Sequence, residues 1–196
     1  MKMKNKGIII FGGTGDLAYR KLFPALYNLH CLGLLPEDYK VVGVGRKGYS
    51  KEDYVEIIKK WTSEFSRLKY TEEDFSEFSK RIIYYQMDMT KVAQYRDLLA
   101  DLDYANGRKE SGWTYYYAVP PKIFGFITDG IRLAGCPLSG AKVIIEKPFG
   151  DTMDAAEYIY KNLKQCFSQE NIFFIDHYLG KEMIINIMTL RFANAI

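Results

Sequence analysis

A glycine-rich segment near the amino terminus constrains the fold of this chain more than any other feature. Residues 7–18 read Gly-Ile-Ile-Ile-Phe-Gly-Gly-Thr-Gly-Asp-Leu-Ala. The apolar, β-branched run predicts a buried parallel strand, and the apolar spacing from Leu17 to Leu29 predicts a helix after the glycines. In such a strand–turn–helix unit, glycines let the backbone approach a pyrophosphate at the positive end of the helix. The segment therefore predicts a nucleotide-binding loop that consists of Gly12, Gly13, Thr14, Gly15, Asp16, Leu17 and Ala18.

Apolar runs typical of strands alternate with helical patterns along almost the whole chain. The predicted strands span residues 8–11, 41–45, 81–87, 114–119, 142–145 and 171–175. Ser50, Thr71 and Thr90 are expected to cap three of the helices, and Asp151 or Thr152 is expected to cap the helix after the fifth strand. Because parallel strands are joined by right-handed crossovers, the pattern predicts an α/β fold with a doubly wound, mostly parallel sheet of the Rossmann type.

The end of the second predicted strand bears on which coenzyme the loop binds. Arg46 and Lys47 follow that strand, whereas the acidic pair Glu37 and Asp38 precedes it. An acidic residue at the strand's carboxyl end would bind the ribose hydroxyls of NAD, whereas an arginine there would bind the 2′-phosphate of NADP. Arg46 therefore favours NADP, with NAD as the alternative. A solvated pair of cations without any ligand is the other interpretation.

Composition excludes several classes of partner. The net charge of +3 is modest and no block of like charge occurs, so no nucleic-acid partner is expected. Cys31, Cys136 and Cys166 are far apart and lack metal-ligand spacing, which predicts reduced thiols, no metal site and a cytoplasmic location. No apolar run approaches the length of a bilayer span, so no membrane association is expected.

Three motifs together resemble glucose-6-phosphate dehydrogenase. They are the glycine segment, the Glu-Lys-Pro-Phe-Gly run that begins at Glu146, and the Ile-Asp-His-Tyr-Leu-Gly-Lys-Glu run that begins at Ile175. The resemblance extends from about residue 8 to the end of the chain and covers only the amino-terminal part of the family's protein. One departure is Phe174, since members usually carry arginine at that position, and an altered local contact is expected there.

The resemblance implies oxidation of glucose 6-phosphate to 6-phosphoglucono-lactone with hydride transfer to NADP, the first step of the pentose phosphate pathway. It implies that the glycine segment holds the pyrophosphate and that Thr14 and Arg46 contact the adenosine phosphate. Lys147 would lie between nicotinamide and sugar. The sugar phosphate would be bound by the residues of the last motif, with Lys21 nearby: His177, Tyr178, Leu179, Gly180 and Lys181.

The same resemblance implies that a catalytic part is missing from this chain. The family's general base is a histidine of the second domain, paired with the aspartate that corresponds to Asp176. Here the only histidines are His30, expected to be structural, and His177. Residues 1–176 are therefore expected to form the NADP-binding domain, and residues 177–196 the start of a truncated α+β domain for substrate binding and dimerisation. We expect little turnover from this chain alone, and a homo-oligomer for the full-length family protein.

Two other functions are compatible with parts of the pattern. A non-catalytic module that binds or senses NADP(H) would need the glycine segment but no sugar site, and it would not require Lys147, Asp176 or Lys181. A reductase of the short-chain type would need a Tyr-x-x-x-Lys pair on a helix after the middle strands. Neither Tyr158 nor Tyr160 has that spacing to Lys161, so this alternative ranks last.

Overall fold

One parallel sheet organises the molecule. The computed structural model describes residues 7–102, 112–135, 140–148, 150 and 152–175. Its six strands are hydrogen-bonded in the order β3-β2-β1-β4-β5-β6, and every pair is parallel. The strands are β1 Gly7–Phe11, β2 Lys40–Gly45, β3 Ile82–Gln86, β4 Trp113–Tyr117, β5 Lys142–Glu146 and β6 Ile172–Ile175. This confirms the predicted Rossmann-type sheet, with all six strands close to the predicted ranges.

Helices connect the strands in the predicted alternation. They are α1 Phe23–Cys31, α2 Lys51–Phe65, α3 Glu72–Ser79, α4 Ala93–Asp101, α5 Phe124–Leu133 and α6 Met153–Lys164. A π-helical turn, Ala18–Leu22, leads from the glycines into α1, and 3-10 turns span Pro121–Ile123 and Gln169–Asn171. Within the described ranges, no helix combines the length and the apolar composition that crossing a bilayer requires.

Three of the four predicted helix caps form as expected. The side chains of Ser50, Thr71 and Thr152 each accept a backbone N–H bond from the residue three positions later. The prediction for Thr90 is wrong: its hydroxyl and its backbone N–H both donate to Oδ1 of Asp88. Helix α4 begins after Val92, which provides no side-chain cap. The reason is that Thr90 lies in a turn in which the backbone N–H of Lys91 donates to the carbonyl of Asp88, so the N-cap position falls on Val92 and not on Thr90.

Apolar residues cover both faces of the sheet. On β1, Ile8 and Ile10 belong to one core cluster, whereas Ile9 and Phe11 belong to the other. The first cluster includes residues of α1, α2 and α3, and the second includes residues of α4, α5 and α6. Successive strand residues point to opposite faces, so a strand covered on both sides is apolar at every position. This explains why the short run after Gly7 contains no polar residue.

The strand register brings the carboxyl ends together at one edge. Phe11 at the end of β1 pairs with Val44 of β2 on one side and with Tyr117 of β4 on the other. Strand order reverses between β1 and β4, which is where ligands bind in open α/β sheets. The predicted domain boundary after Asp176 lies outside the described residues, as do Cys136 and Asp151.

Candidate functional site

The glycine loop, residues 12–18, is a tight turn held against β2 and β4. The backbone N–H groups of Gly12 and Gly13 both donate to the carbonyl of Val44, at 3.0 and 2.8 Å. Gly12 has a φ of 88°, and a Cβ there would fall 2.2 Å from the carbonyl oxygen of Ala118. A side chain at this position would therefore clash with β4 in a backbone conformation that already favours glycine.

The other two glycines have different surroundings. A Cβ on Gly13 would fall 2.7 Å from Cα of Gly43, so this position packs directly on β2. A Cβ on Gly15 would come near only the carbonyl oxygen of Gly12, at 3.1 Å. Gly13 is therefore required by packing, while the space beside Gly15 is open enough for an anion to approach. Ala18, fully buried, lets the following helical segment lie close to the sheet.

Thr14 connects the glycine loop with the end of β2. A Cβ on Gly45 would fall 2.6 Å from Cγ2 of Thr14, so the threonine side chain lies directly over the end of that strand. The next residues form a cationic turn, residues 46–48, in which both Arg46 and Lys47 are exposed. The glycine loop, predicted to bind the pyrophosphate, therefore lies next to Arg46, which is predicted to bind the 2′-phosphate.

Asp88 is a carboxylate near the cationic turn that the sequence analysis did not consider. It follows β3, the neighbour of β2, and hydrogen bonds from Thr90 lower the pKa of its carboxyl group. The nearby charges of Lys91 and Arg46 lower the Asp88 pKa further. A carboxylate thus lies near Arg46, although none is adjacent to it in the sequence. The available signal was its position two residues after β3, since the carboxyl ends of adjacent parallel strands meet at one edge.

A cleft of about 310 Å³ opens at the reversal of strand order. One wall is the glycine loop at Gly15, Asp16 and Leu17, and the opposite wall is the end of β5 with Lys147 and Pro148. The floor is the last residue of β4 and the segment that follows it, residues 117–121. The backbone N–H of Lys147 donates to the carbonyl of Ile175 at 3.4 Å, and the peptide bond between Lys147 and Pro148 is cis.

Comparison with known proteins gives the family. A family model described as the NAD binding domain of glucose-6-phosphate dehydrogenase matches residues 9–186, most of the chain. The chain belongs to the glucose-6-phosphate dehydrogenase family. The sheet, the glycine loop and the cleft therefore form a dinucleotide-binding domain of this family.

Individual relatives extend well beyond the matched region. Glucose-6-phosphate 1-dehydrogenase of Bacillus subtilis is 35% identical over 193 residues, which are 96% of this chain and 38% of that protein. The Schizosaccharomyces pombe enzyme is 34% identical over 195 residues, 98% of this chain and 39% of its own. A solved glucose-6-phosphate dehydrogenase in complex with its substrate glucose 6-phosphate has a TM-score of 0.81 and 32% identity. It aligns with 97% of this chain and 40% of its own, so this chain spans about two fifths of these relatives.

Several residues predicted for the family site lie outside the described residues. They are Asp176, His177, Tyr178, Leu179, Gly180 and Lys181. Lys21 is described: it is exposed on the π-helical turn and does not line the cleft. Its neighbour Arg20 lies 3.8 Å from Oδ1 of Asp16, and its guanidinium lies 4.9 Å from the centre of the Phe65 ring. Arg20 therefore packs along α2 rather than into the cleft.

A Tyr-x-x-x-Lys pair was missed in the sequence. Tyr160 and Lys164 have this spacing on α6. The Lys164 ammonium lies 5.4 Å from the centre of the Tyr160 ring, and neither residue lines the cleft. The pair therefore lies outside the cleft at the strand reversal.

A second cavity of about 410 Å³ lies between α5 and α6 beside Phe126 and Tyr158, and no predicted site residue lines it.

Proposed function

We propose that this chain supplies the coenzyme site and part of the sugar-phosphate site of an enzyme that oxidises glucose 6-phosphate with NADP. The observation that supports this most directly is the cleft at the strand reversal, which has the glycine loop on one wall and Lys147 on the other. Hydride transfer needs coenzyme and sugar in contact, so one cleft bounded by both sets of groups suits the reaction.

The described residues fit a dinucleotide. Gly12 and Gly13 are packed against the sheet, whereas the space beside Gly15 is open on the cleft side. The helical segment that begins at Ala18 directs its positive end towards this loop. In the proposed complex the glycine loop holds the pyrophosphate, and Thr14 and Arg46 contact the adenosine phosphate.

NADP is proposed over NAD because of charge at the end of β2. Arg46 and Lys47 are both exposed there, and a guanidinium binds a phosphate through paired, charge-assisted hydrogen bonds. The carboxylate of Asp88 is nearby but already accepts two hydrogen bonds from Thr90. It follows β3 and not β2, so it does not occupy the position from which an acidic residue binds the ribose hydroxyls of NAD.

The proposed chemistry assigns a role to each group of the chain. When held by the glycine loop, Thr14 and Arg46, NADP would supply the acceptor for the hydride that leaves C1 of the sugar. The ammonium group of Lys147 holds the sugar against the coenzyme and offsets charge that develops on the C1 oxygen as its proton leaves. Asp176 orients the base histidine of the second domain. The sugar phosphate is bound by His177, Tyr178 and Lys181, within the motif that also contains Leu179 and Gly180, with Lys21 as a further cation.

Calorimetric titration of the purified chain tests the proposal. NADP is expected to bind more tightly than NAD, and glucose 6-phosphate is expected to bind, whereas glucose without the phosphate serves as the matched control. Equal binding of NAD and NADP would contradict the assignment of Arg46. Binding of coenzyme without any binding of glucose 6-phosphate would instead favour a coenzyme-sensing module. The cytoplasmic location, the boundary at residue 176 and the homo-oligomer stay predictions.

A further inference from the structure

Two adjacent tyrosines each donate a hydrogen bond to one of the two loops at the coenzyme site. Tyr54 of α2 is fully buried, and its hydroxyl donates to the carbonyl of Gly13 at 2.6 Å. Tyr84 of β3 donates its hydroxyl to the carbonyl of Lys47 in the cationic turn. The centres of the two rings are 4.4 Å apart. The contact between the Tyr54 and Tyr84 rings therefore connects the glycine loop with the cationic turn.

The position of Tyr54 is fixed by the glycines around it. A Cβ on Gly43, in the middle of β2, would fall 1.9 Å from the Tyr54 hydroxyl oxygen, and one on Gly13 would fall 2.9 Å from it. The phenol thus occupies space that only glycines leave open. Its ring also neighbours Tyr19, which follows the glycine loop, and Tyr49, which follows the cationic turn. A movement of Tyr54 would therefore disturb the packing of Gly13 in the glycine loop and of Gly43 in β2.

The cationic turn is held through its carbonyl groups. Besides the bond from Tyr84 to Lys47, the side-chain amide of Gln86 donates to the carbonyl of Arg46 at 3.3 Å. The backbone N–H of Tyr49 donates to the carbonyl of Lys47 at 3.1 Å. These bonds fix the backbone of the turn and do not use the guanidinium of Arg46, which is exposed.

We propose that Tyr54 and Tyr84 are positioning residues: Tyr54 holds the glycine loop, which serves both coenzymes, and Tyr84 holds the cationic turn and thereby the preference for NADP. This inference rests on the proposed function. Neither tyrosine touches the coenzyme: each acts through a backbone carbonyl. Binding NADP requires the pyrophosphate and the 2′-phosphate to be held at once, and loops fixed before binding lose less conformational entropy when they bind. NAD lacks the 2′-phosphate and so depends on the glycine loop alone.

The two tyrosines are expected to affect the two coenzymes differently. Tyr84→Phe should weaken NADP binding about three- to tenfold, the size of one ordinary hydrogen bond, and should change NAD binding less than about twofold. Tyr54→Phe should weaken NADP and NAD about equally, by a similar factor, because the glycine loop serves both. Calorimetric titration of the whole chain with each coenzyme gives these ratios.

Tyr27→Phe is the matched control. Tyr27 is fully buried on α1, and its hydroxyl accepts a hydrogen bond from the backbone N–H of Thr71 at 3.1 Å, at the start of α3. It should lower the melting temperature as Tyr54→Phe does and leave both affinities unchanged. Gln86→Ala removes an exposed anchor of the same turn and should reproduce the effect of Tyr84→Phe if that variant does not fold.

Wild-type affinities in either tyrosine variant, or equal losses for both coenzymes in Tyr84→Phe, would overturn the inference and leave the proposed function standing. Failure of the unaltered chain to bind either coenzyme would instead overturn both.

Discussion

The hydroxyl of Tyr116 donates a hydrogen bond to Oε1 of Glu146, the residue before Lys147. Tyr116 is buried on β4 and Glu146 ends the adjacent strand β5. Burial, together with the bond to Glu146 and its charge, raises the pKa of Tyr116, so the phenol stays protonated and acts as the donor near neutral pH. The bond thus joins the ends of two strands immediately below Lys147.

Tyr116→Phe removes this bond and keeps the ring. We expect the free energy of unfolding to fall by about 1.5 kcal/mol, the lower end for a hydrogen bond to a charged group, because Glu146 is only half-buried. Urea unfolding followed by circular dichroism gives the value. Tyr158→Phe is the control, since Tyr158 is exposed on α6 and its loss should change stability by less than about 0.5 kcal/mol. Equal effects of the two changes would contradict the role of the bond.

The sheet and the cleft could be predicted from the sequence because local patterns determine them. Apolar runs such as 8–11 and 41–45 identify strands, and chirality then orders the crossovers. The polar residues that follow successive strands must meet at one edge, which is why Lys147 and Gly15 could be placed in one site. Local pattern and global fold agree at these positions.

Contacts between distant residues could not be predicted in this way. Tyr54 reaches Gly13 across 41 positions, and its helical spacing indicates only a buried face. Asp88 approaches Arg46 because β3 pairs with β2, a pairing that periodicity does not give. The Thr90 cap failed for a related reason: Asp88 holds Thr90 in a turn that ends before the helix, and the helical pattern does not show where that turn ends.

Gly43→Ala tests the packing of α2 on β2. The added Cβ would lie 1.9 Å from the Tyr54 hydroxyl oxygen, so the helix or the strand must shift. We expect a loss of about 2–3 kcal/mol in unfolding free energy. Gly125→Ala is the matched control on α5, where the nearest heavy atom is 3.7 Å away. It should be neutral or stabilise the chain by up to about 1 kcal/mol, because alanine favours a helix over glycine. In chemical denaturation, a loss of unfolding free energy for Gly43→Ala without a loss for Gly125→Ala would support the packing argument. A loss for both variants would contradict it.

High pH should unfold this chain through its buried tyrosines. Burial raises the pKa of Tyr39 to about 12, and it raises the pKa values of Tyr54, Tyr95 and Tyr117 as well. Unfolded tyrosines ionise near pH 10, so above that pH the unfolded state binds fewer protons and stability falls as pH rises. Below about pH 9 these groups should have no effect.

Tyr39→Phe isolates one contribution to this alkaline loss. Between pH 10 and 12, each such tyrosine should lower stability by about 1.4 kcal/mol per pH unit, and the variant should lose that much less. Urea midpoints at pH 8, 10 and 11, with tyrosinate absorbance recorded in parallel, give the slopes. Identical slopes for the variant and the unaltered chain would show that Tyr39 ionises as it does in the unfolded state.

Arg46→Ala tests the proposed preference for NADP at the residue that we propose causes it. A guanidinium contact with the 2′-phosphate is charge-assisted, so its loss should weaken NADP binding about 10- to 100-fold. NAD binding should change less than about twofold. Arg96→Ala, which removes an exposed cation from α4, keeps the change in net charge and should leave both affinities unaltered. Salt screens the attraction between Arg46 and the 2′-phosphate. Raising the salt concentration should therefore weaken NADP binding more in the unaltered chain than in Arg46→Ala, which lacks this ion pair. Equal losses of affinity for NADP and NAD in Arg46→Ala would show that Arg46 supports the backbone of the turn and does not bind the 2′-phosphate.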